Sequence, residues 1–461
     1  MILDTKAVGV CDAIESVWAH IAGRNLRYYV YTFGCQQNEA DSEKIRQMAE
    51  NMGDLPSDNA ECADLIILNT CAIREHAQMK AMSLLGTFKS QKQKNPNLVV
   101  GLVGCMAAKD EVVKNIKAKF PFVSFTAEPN MLHRIPEAVL SAVAEAERTF
   151  IIGEDRGDIV EGITQKRESS HKAWVSIMYG CNNFCTYCVV PYVRGRERSR
   201  ESGVIIEECR SLVNSGVKEI TLLGQNVNSY KSDIGFPELL SRIAEIDGDF
   251  IIRFMTSHPK DTTSALIDVM KKYSGKVAPY FHLPIQAGSN RILSRMNRTY
   301  TRERFLEIVQ ELREKIPGIS LSTDIIVGFP GESEEDFLET LDMLKICRFD
   351  LVYAFMYSSR VGTAAAKMDG HIADNVKSDR LSRLFEIQDP ISYEKNLPYL
   401  DSCVRVLVDS ADERGGEKIY TGRTDTNKLV HFTGEDVRIG QFTNVQIKKI
   451  GGFDLIGDAV K

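Results

Sequence analysis

The sequence predicts an α/β protein in three parts: an N-terminal open parallel α/β sheet, a central partial (βα)6 TIM-like barrel, and a small C-terminal antiparallel β-barrel of OB-like type. Three observations carry this prediction. Between residues 26 and 141 a strand-like run, a cysteine loop and a helix-like stretch recur three times. From 171 to 396 strand and helix patterns alternate again, and from 397 to 461 the apolar period falls to two with repeated glycine turns.

The three N-terminal repeats are YYVYTFGC with QQNEADSEKIRQMAENMG, ADLIILNTC with AIREHAQMKAMSLL, and NLVVGLVGC with MAAKDEVVKNIKAKF. Continuous apolar strands alternating with amphipathic helices imply a parallel sheet, whose strand-to-helix loops gather at one edge. Cys35, Cys71 and Cys105 therefore share that edge, although their spacing resembles no metal motif. Residues 142–170, charged and poor in apolar faces, read as a linker.

In the central part AWVSIMYG, VKEITLLGQNVNS, FIIRFMTSHP, YFHLPIQAGS, ISLSTDIIVGFPG and DLVYAFMYSSRVGT each read as a strand ending in a polar or glycine loop. Barrel chemistry sits at C-terminal strand ends. Gln225, Asn226, Ser257, His258, Gln286 and Asp324 are thus expected at the mouth, while His282 reads equally as catalytic or as a hydrogen-bonded structural residue.

Hydrophobic residues make up 43% of the 461 residues and charged residues 26%, which excludes fibrous and strongly disordered classes. The first residues are acidic where a secretion signal would be basic, and no apolar run is long enough to span a bilayer, so the expectation is a cytoplasmic protein without a membrane. A net charge of −6 argues against bulk electrostatic coating of nucleic acid but leaves room for a local basic patch. Eleven cysteines in such a chain point to metal or catalytic use rather than disulfides.

GCNNFCTYC places Cys181, Cys185 and Cys188 within one loop. Structural zinc sites close with four ligands, and this stretch offers neither a second pair nor nearby histidines. Three thiolates suit a 4Fe-4S cluster with one iron open to another ligand. Cys11, Cys62, Cys209, Cys347 and Cys403 occur singly and read as ordinary core thiols.

The C-x3-C-x2-C spacing with Tyr187 before the last cysteine resembles the radical S-adenosylmethionine (SAM) superfamily. TFGCQQNEADSEKI, NTCAIREHA and GLVGCMA upstream, CTYCVVPYVRGRERSR, and the terminal β domain together resemble the MiaB-type tRNA methylthiotransferases from about residue 26 to 460. The sequence has Gln36-Gln37 where the family has a glutamine-methionine pair, a minor departure. The resemblance implies that SAM chelates the open iron at Cys181, Cys185 and Cys188. It also implies that Cys35, Cys71 and Cys105 hold a second 4Fe-4S cluster. One SAM would methylate a sulfur there and another would yield the radical that abstracts hydrogen from C-2 of N6-dimethylallyladenosine, at position 37 beside the tRNA anticodon.

Tyr187, Gln225, Asn226, Ser257, Gln286 and Asp324 are the expected SAM contacts. Arg194, Arg196, Arg198 and Arg200 are expected to meet phosphate, as is the stretch carrying Arg291, Arg295, Arg298, Arg302 and Arg304. The terminal domain resembles a TRAM domain, with Arg423 and Lys428 as RNA contacts. The expected partners are a tRNA anticodon stem-loop and a flavodoxin- or ferredoxin-like electron donor, and the expected state is a monomer. Two alternatives stay open: methylthiolation of another tRNA adenosine or a ribosomal-protein aspartate, and a non-catalytic, metal-stabilised RNA-binding protein.

Overall fold

The computed structural model describes residues 5–21, 26–72, 75–153, 159–163 and 165–460. The chain divides into two compact units. The first comprises Met1–Glu168 with Met178–Asn182 and Val189–Arg198; the second comprises Ser169–Ile177, Asn183–Cys188 and Ser199–Lys461.

In the first unit helix α1 (Thr5–Ile21) precedes a six-stranded parallel sheet: β1 (Arg27–Thr32), β2 (Leu55–Pro56), β3 (Leu65–Thr70), β4 (Val99–Gly104), β5 (Phe125–Ala127) and β6 (Thr149–Ile151). The strand order is β2-β1-β3-β4-β5-β6. Every residue of β3 and β4 is buried, as expected of central parallel strands covered on both faces. Period two divides them cleanly: Leu65 and Ile67 join one core with Val17, Ile45 and Phe125, while Ile66 and Leu68 join another with Leu85 and Phe88. Gly101 in β4 makes room for Phe125, whose ring a Cβ there would approach to 2.2 Å.

Two boundaries differ from expectation. Strand β6 pairs in parallel with β5, so the sheet continues into the stretch expected to be linker. Its apolar signal, Phe150-Ile151-Ile152, is too short to show a period. Farther on, Lys166 N–H donates to Glu43 O and Arg167 pairs with Glu43 at 2.9 Å, which lays this segment along α2 (Gln36–Asn51).

The second unit holds the six expected central strands. They are β7 (Lys172–Ser176), then, after the short paired strands β8 (Met178–Tyr179) and β9 (Arg198–Ser199), β10 (Glu219–Leu223), β11 (Ile251–Phe254), β12 (Tyr280–His282), β13 (Ser320–Val327) and β14 (Leu351–Met356). They form two parallel three-stranded sheets, β11-β10-β7 and β12-β13-β14, with a parallel bridge from Ile252 to Val277. This is a split partial barrel. Thr263 and Thr301 accept helix N-cap hydrogen bonds, and Ser333 forms a reciprocal capping box with Asp336.

The C-terminal part is a closed five-stranded barrel in the order β15-β16-β17-β19-β18, from β15 (Cys403–Arg414), β16 (Glu417–Thr424), β17 (Leu429–Thr433), β18 (Phe442–Ile450) and β19 (Asp454–Val460). Gly415 and Gly416, both at positive φ, turn the first hairpin. Val406, Val408, Tyr420, Phe432 and Ile447 fill its interior. Arg253 of β11 fastens this barrel, donating to Thr424 O at 2.8 Å and Asp425 O at 3.0 Å while its Nε pairs with buried Glu219 at 2.7 Å.

Candidate active site

All eleven cysteines are free. Cys209 and Cys347 are core thiols as expected, whereas Cys11, Cys62 and Cys403 are exposed. These three correct the reading of isolated cysteines as core. Cys62 and Cys403 sit at the end of a short element, whereas Cys11 lies on the exposed face in the middle of α1.

In the first unit Cys35 stands at the N-cap of α2, Cys71 follows β3 and Cys105 follows β4. Cys71 and Cys105 are buried and Cys35 is half-buried. Glycines precede two of them because the chain turns through left-handed conformations there: Gly34 at φ 136° and Gly104 at φ 87°. A Cβ on Gly34 would lie 2.7 Å from the Cys71 Cβ, so that close approach of two cysteine loops requires glycine.

A buried polar lattice holds the loops. Asn38 Nδ2 donates to Thr70 O at 3.1 Å and Asn69 Oδ1 at 3.2 Å, and Asn69 Nδ2 donates to Asn38 O at 2.8 Å and Ser42 Oγ at 2.9 Å. Cys35 Sγ lies 3.3 Å from Asn38 Oδ1. Burial pushes the Cys105 thiol up to about 11 against the pull of Arg194, with Cys71 and Cys35 adding to the rise. The three thiols thus share one electrostatic neighbourhood.

Arg194, expected to meet RNA phosphate, is enclosed in this neighbourhood at 2% exposure and pairs with buried Asp41 at 3.0 Å. Burial opposes its charge, but Cys105, Asp41 and Cys35 outweigh that and strengthen its hold on the proton. Arg198 donates to Asn130 Oδ1 at 2.7 Å, and Arg196 is exposed. Cys181 follows Gly180 at φ 74°, and its N–H donates to Gly195 O at 3.2 Å.

In the second unit the rest of the cysteine loop is held chiefly by main chain. Thr186 N–H donates to Met296 O, Thr186 Oγ1 to Arg295 O, and Asn297 Nδ2 to the carbonyls of Asn183 and Phe184, at 3.0 to 3.1 Å. Cys188 N–H donates to Cys185 O at 2.9 Å. Arg298, also expected at phosphate, is buried with Nη1 3.5 Å from Cys185 Sγ. Arg200 is buried against Ser176 O and Glu208, and Lys428 is buried against Asp350 at 2.7 Å. Arg194, Arg200, Arg298 and Lys428 therefore correct the expectation of phosphate contacts, since internal partners already enclose their cationic heads. Arg291, Arg302 and Arg304 are paired to Asp336, Asp342 and Glu307, and Arg295 donates to Pro330 O. Arg423 is half-buried and donates to Asn427 O at 3.1 Å.

At the strand ends Asn226 and Ser257 are buried, with Asn226 Nδ2 donating to Asp261 at 2.6 Å. Asn226 Oδ1, Asn228 Oδ1 and Ser257 Oγ are buried without a hydrogen-bond partner among the described residues. Orphaned buried polar atoms are costly and mark a place built for a polar ligand. Tyr187 and Gln225 are half-buried, and Asp324 stays partly open 3.6 Å from His282 Nε2. His282 Nδ1 meets Ser322 Oγ at 2.8 Å, which favours the structural reading of this histidine. Gln286, at φ 72°, is tied through its own main chain to Asp324 O and Ile326 N.

Each donor set, three thiols without a fourth, is of the kind that leaves one iron of a 4Fe-4S cluster open. Sequence reading did not single out Asn38, Asn69 or Asp41. The polar pair Asn69-Thr70 ending the apolar, fully buried β3 was the available signal.

Comparison with known proteins accounts for all three parts. Residues 175–344 match the radical SAM superfamily, 27–127 the uncharacterized protein family UPF0004, and 399–460 the TRAM domain. A tRNA-2-methylthio-N(6)-dimethylallyladenosine synthase of Alkaliphilus oremlandii is 48% identical over 98% of this chain and 96% of its own. The protein of the same name from Thermoanaerobacter sp. (strain X514) is 47% identical over 95% of this chain and 94% of its own. In fold, the radical SAM methyltransferase TsrM of Kitasatospora setae aligns with a TM-score of 0.53 at 14% identity, covering 74% of this chain and 75% of that one. The chain belongs to the tRNA-2-methylthio-N(6)-dimethylallyladenosine synthase family, radical SAM methylthiotransferases with an N-terminal cysteine-bearing sheet and a C-terminal TRAM barrel.

Proposed function

We propose that this chain installs a methylthio group at C-2 of N6-dimethylallyladenosine at tRNA position 37, and that it uses two 4Fe-4S clusters. The observation that carries the reading is the gathering of Cys35, Cys71 and Cys105 around Arg194 in the first unit, separate in the fold from Cys185 and Cys188 in the second. When bound, the clusters and two SAM molecules supply the sulfur, the methyl group and the hydrogen-abstracting radical.

The chain's own residues bind, orient and shield. Cys181, Cys185 and Cys188 hold one cluster, and Cys35, Cys71 and Cys105 hold the other. Asn226, Asn228 and Ser257 present their unfilled acceptors to SAM, assisted by Tyr187, Gln225, Gln286 and Asp324. The Asn38–Asn69 lattice keeps bulk water from the N-terminal thiols. Position 37 lies in a single-stranded loop, so its base can be splayed out for reaction. Exposed Arg196 and half-buried Arg198 and Arg423 are the remaining phosphate contacts of those expected in the arginine run and the TRAM barrel. Among the described residues no helix is long and apolar enough to cross a membrane. The protein is proposed to act as a cytoplasmic monomer reduced by a flavodoxin- or ferredoxin-like donor.

Mass spectrometry of tRNA nucleosides from cells lacking the gene tests the substrate. The 2-methylthio derivative should disappear while N6-dimethylallyladenosine accumulates; an unchanged nucleoside profile refutes the assignment.

A further inference from the structure

Four arginines of the second unit are buried: Arg200, Arg253, Arg298 and Arg380. Three of them face a carboxylate, Arg200 with Glu208 at 2.9 Å, Arg253 with Glu219 at 2.7 Å and Arg380 with Glu332 at 2.6 Å. Arg298 does not. Its Nε donates to Tyr300 Oη at 3.0 Å, its Nη2 to Pro284 O at 2.9 Å, and its Nη1 points to Cys185 Sγ at 3.5 Å. The guanidinium also lies 5.1 Å from the centre of the Tyr300 ring. A buried cation needs compensating negative charge, and the sulfur it faces is one that would carry such charge as a cluster ligand.

Its position is built rather than incidental. The three residues before it, Arg295, Met296 and Asn297, each hydrogen-bond the cysteine loop, and Asn297 takes a left-handed conformation at φ 57° to do so. These bonds hold the Arg298 main chain beside the cysteine loop.

We propose that Arg298 is a positioning residue whose charge balances the Cys185 thiolate and thereby sets the reduction potential of the cluster that this cysteine ligates. The assignment rests on the cluster reading above. Positive charge and N–H···S hydrogen bonds favour the more negative, reduced state, so the residue raises the potential and eases entry of the electron that SAM cleavage needs. Of the neighbouring cations among the described residues, Arg291 and Arg302 are engaged by Asp336 and Asp342, and Arg295 donates to Pro330 O.

The test uses the full chain with Cys35, Cys71 and Cys105 changed to alanine, so that only one cluster is reconstituted, at about four irons per chain. Redox titration followed by electron paramagnetic resonance should show Arg298→Met with a more negative midpoint than the parent and Arg298→Lys between the two. Should the methionine variant fail to fold or load iron, Arg298→Gln, which keeps a hydrogen-bond donor without charge, should show the same negative shift. An iron-loaded methionine or glutamine variant with the parental midpoint overturns the role of Arg298. A parent that takes up no iron at Cys181, Cys185 and Cys188 refutes the cluster reading itself, and this assignment with it.

Discussion

The two cysteine sites are built in contrasting ways. The N-terminal triad is assembled from three strand ends far apart in sequence and is locked by side-chain amides, with Arg194 neutralised by Asp41. The other triad lies in a single loop, supported in the second unit by main-chain carbonyls, with Arg298 facing Cys185 and no carboxylate. A dispersed site needs its scaffold to be satisfied internally before any ligand arrives. The mouth of the partial barrel instead keeps open acceptors on Asn226 and Ser257.

The largest expected contrast comes from deleting one thiol on each side. Cys71→Ala should abolish methylthiolated product, by at least about 100-fold, while SAM cleavage to 5′-deoxyadenosine continues. Cys185→Ala should abolish both if, as proposed, Cys185 ligates the SAM-binding cluster, since loss of that ligand stops the radical step. Single-turnover assays with both products quantified decide it. Normal methylthiolation by the Cys71 variant would show that the roles are misassigned.

Next in size is Asn69→Ala. It removes two donated hydrogen bonds and leaves Asn38 Nδ2 without one of its acceptors in a fully buried lattice. Each unsatisfied buried polar group costs roughly 1–3 kcal/mol, so the first unit should lose about 2–4 kcal/mol of stability and, on the two-cluster proposal, much of its capacity for iron. Hydrogen exchange, read over β1, β3 and β4, is the appropriate measurement. Unchanged protection there would mean that the lattice does not organise the triad.

The same contrast explains what was legible in the sequence. Compact C-x3-C-x2-C spacing names its chemistry directly, and the six central strands appear where their apolar runs place them. The N-terminal triad became visible only through a fold rule, that parallel strands collect their loops at one edge. The arginines misled because sequence shows charge but not partner. Arg194 and Arg298 read as a phosphate-binding face, and only the packing reveals Asp41 and Cys185 opposite them. Strand β6 escaped notice because three residues are too few to establish a period.

Two buried groups, one in each unit, should also contribute to stability with opposite pH dependence. Asp54 in the first unit is pushed up to about 7 by burial and then by Asp64, so its folded-state value lies above the unfolded one. Stability from this group is complete below about pH 4 and is lost as pH rises through 7, a change of about 2 kcal/mol or slightly more between pH 5 and 7. His258 at the barrel mouth is pushed down to about 2 by burial, then by Arg298 and Lys260. Its contribution is present above about 6.5 and is lost as pH falls, by about 2 kcal/mol at pH 5. On acidification from pH 7 to 5 the Asp54 contribution should therefore rise and the His258 contribution fall. Glu332 of the second unit, also pushed up to about 7 by burial, opposes His258, so protection factors are compared between the parent and its variant. Asp54→Asn should flatten the first response and leave the second intact.

The smallest predicted effect is also the most discriminating, because it opposes two signs. Ser257 Oγ is buried without a partner, so Ser257→Ala removes an unsatisfied group and should leave the ligand-free barrel equally or slightly more stable. The same change removes a hydrogen bond offered to SAM, worth about 1 kcal/mol, and should weaken SAM binding roughly fivefold. Asn69→Ala, where every bond is internal, should destabilise the protein whether or not ligand is present. Thermal unfolding with and without SAM separates the cases. A serine variant that is less stable without ligand would show that the hydroxyl serves the scaffold, and the open acceptors of the barrel mouth would then lose their meaning as a binding surface.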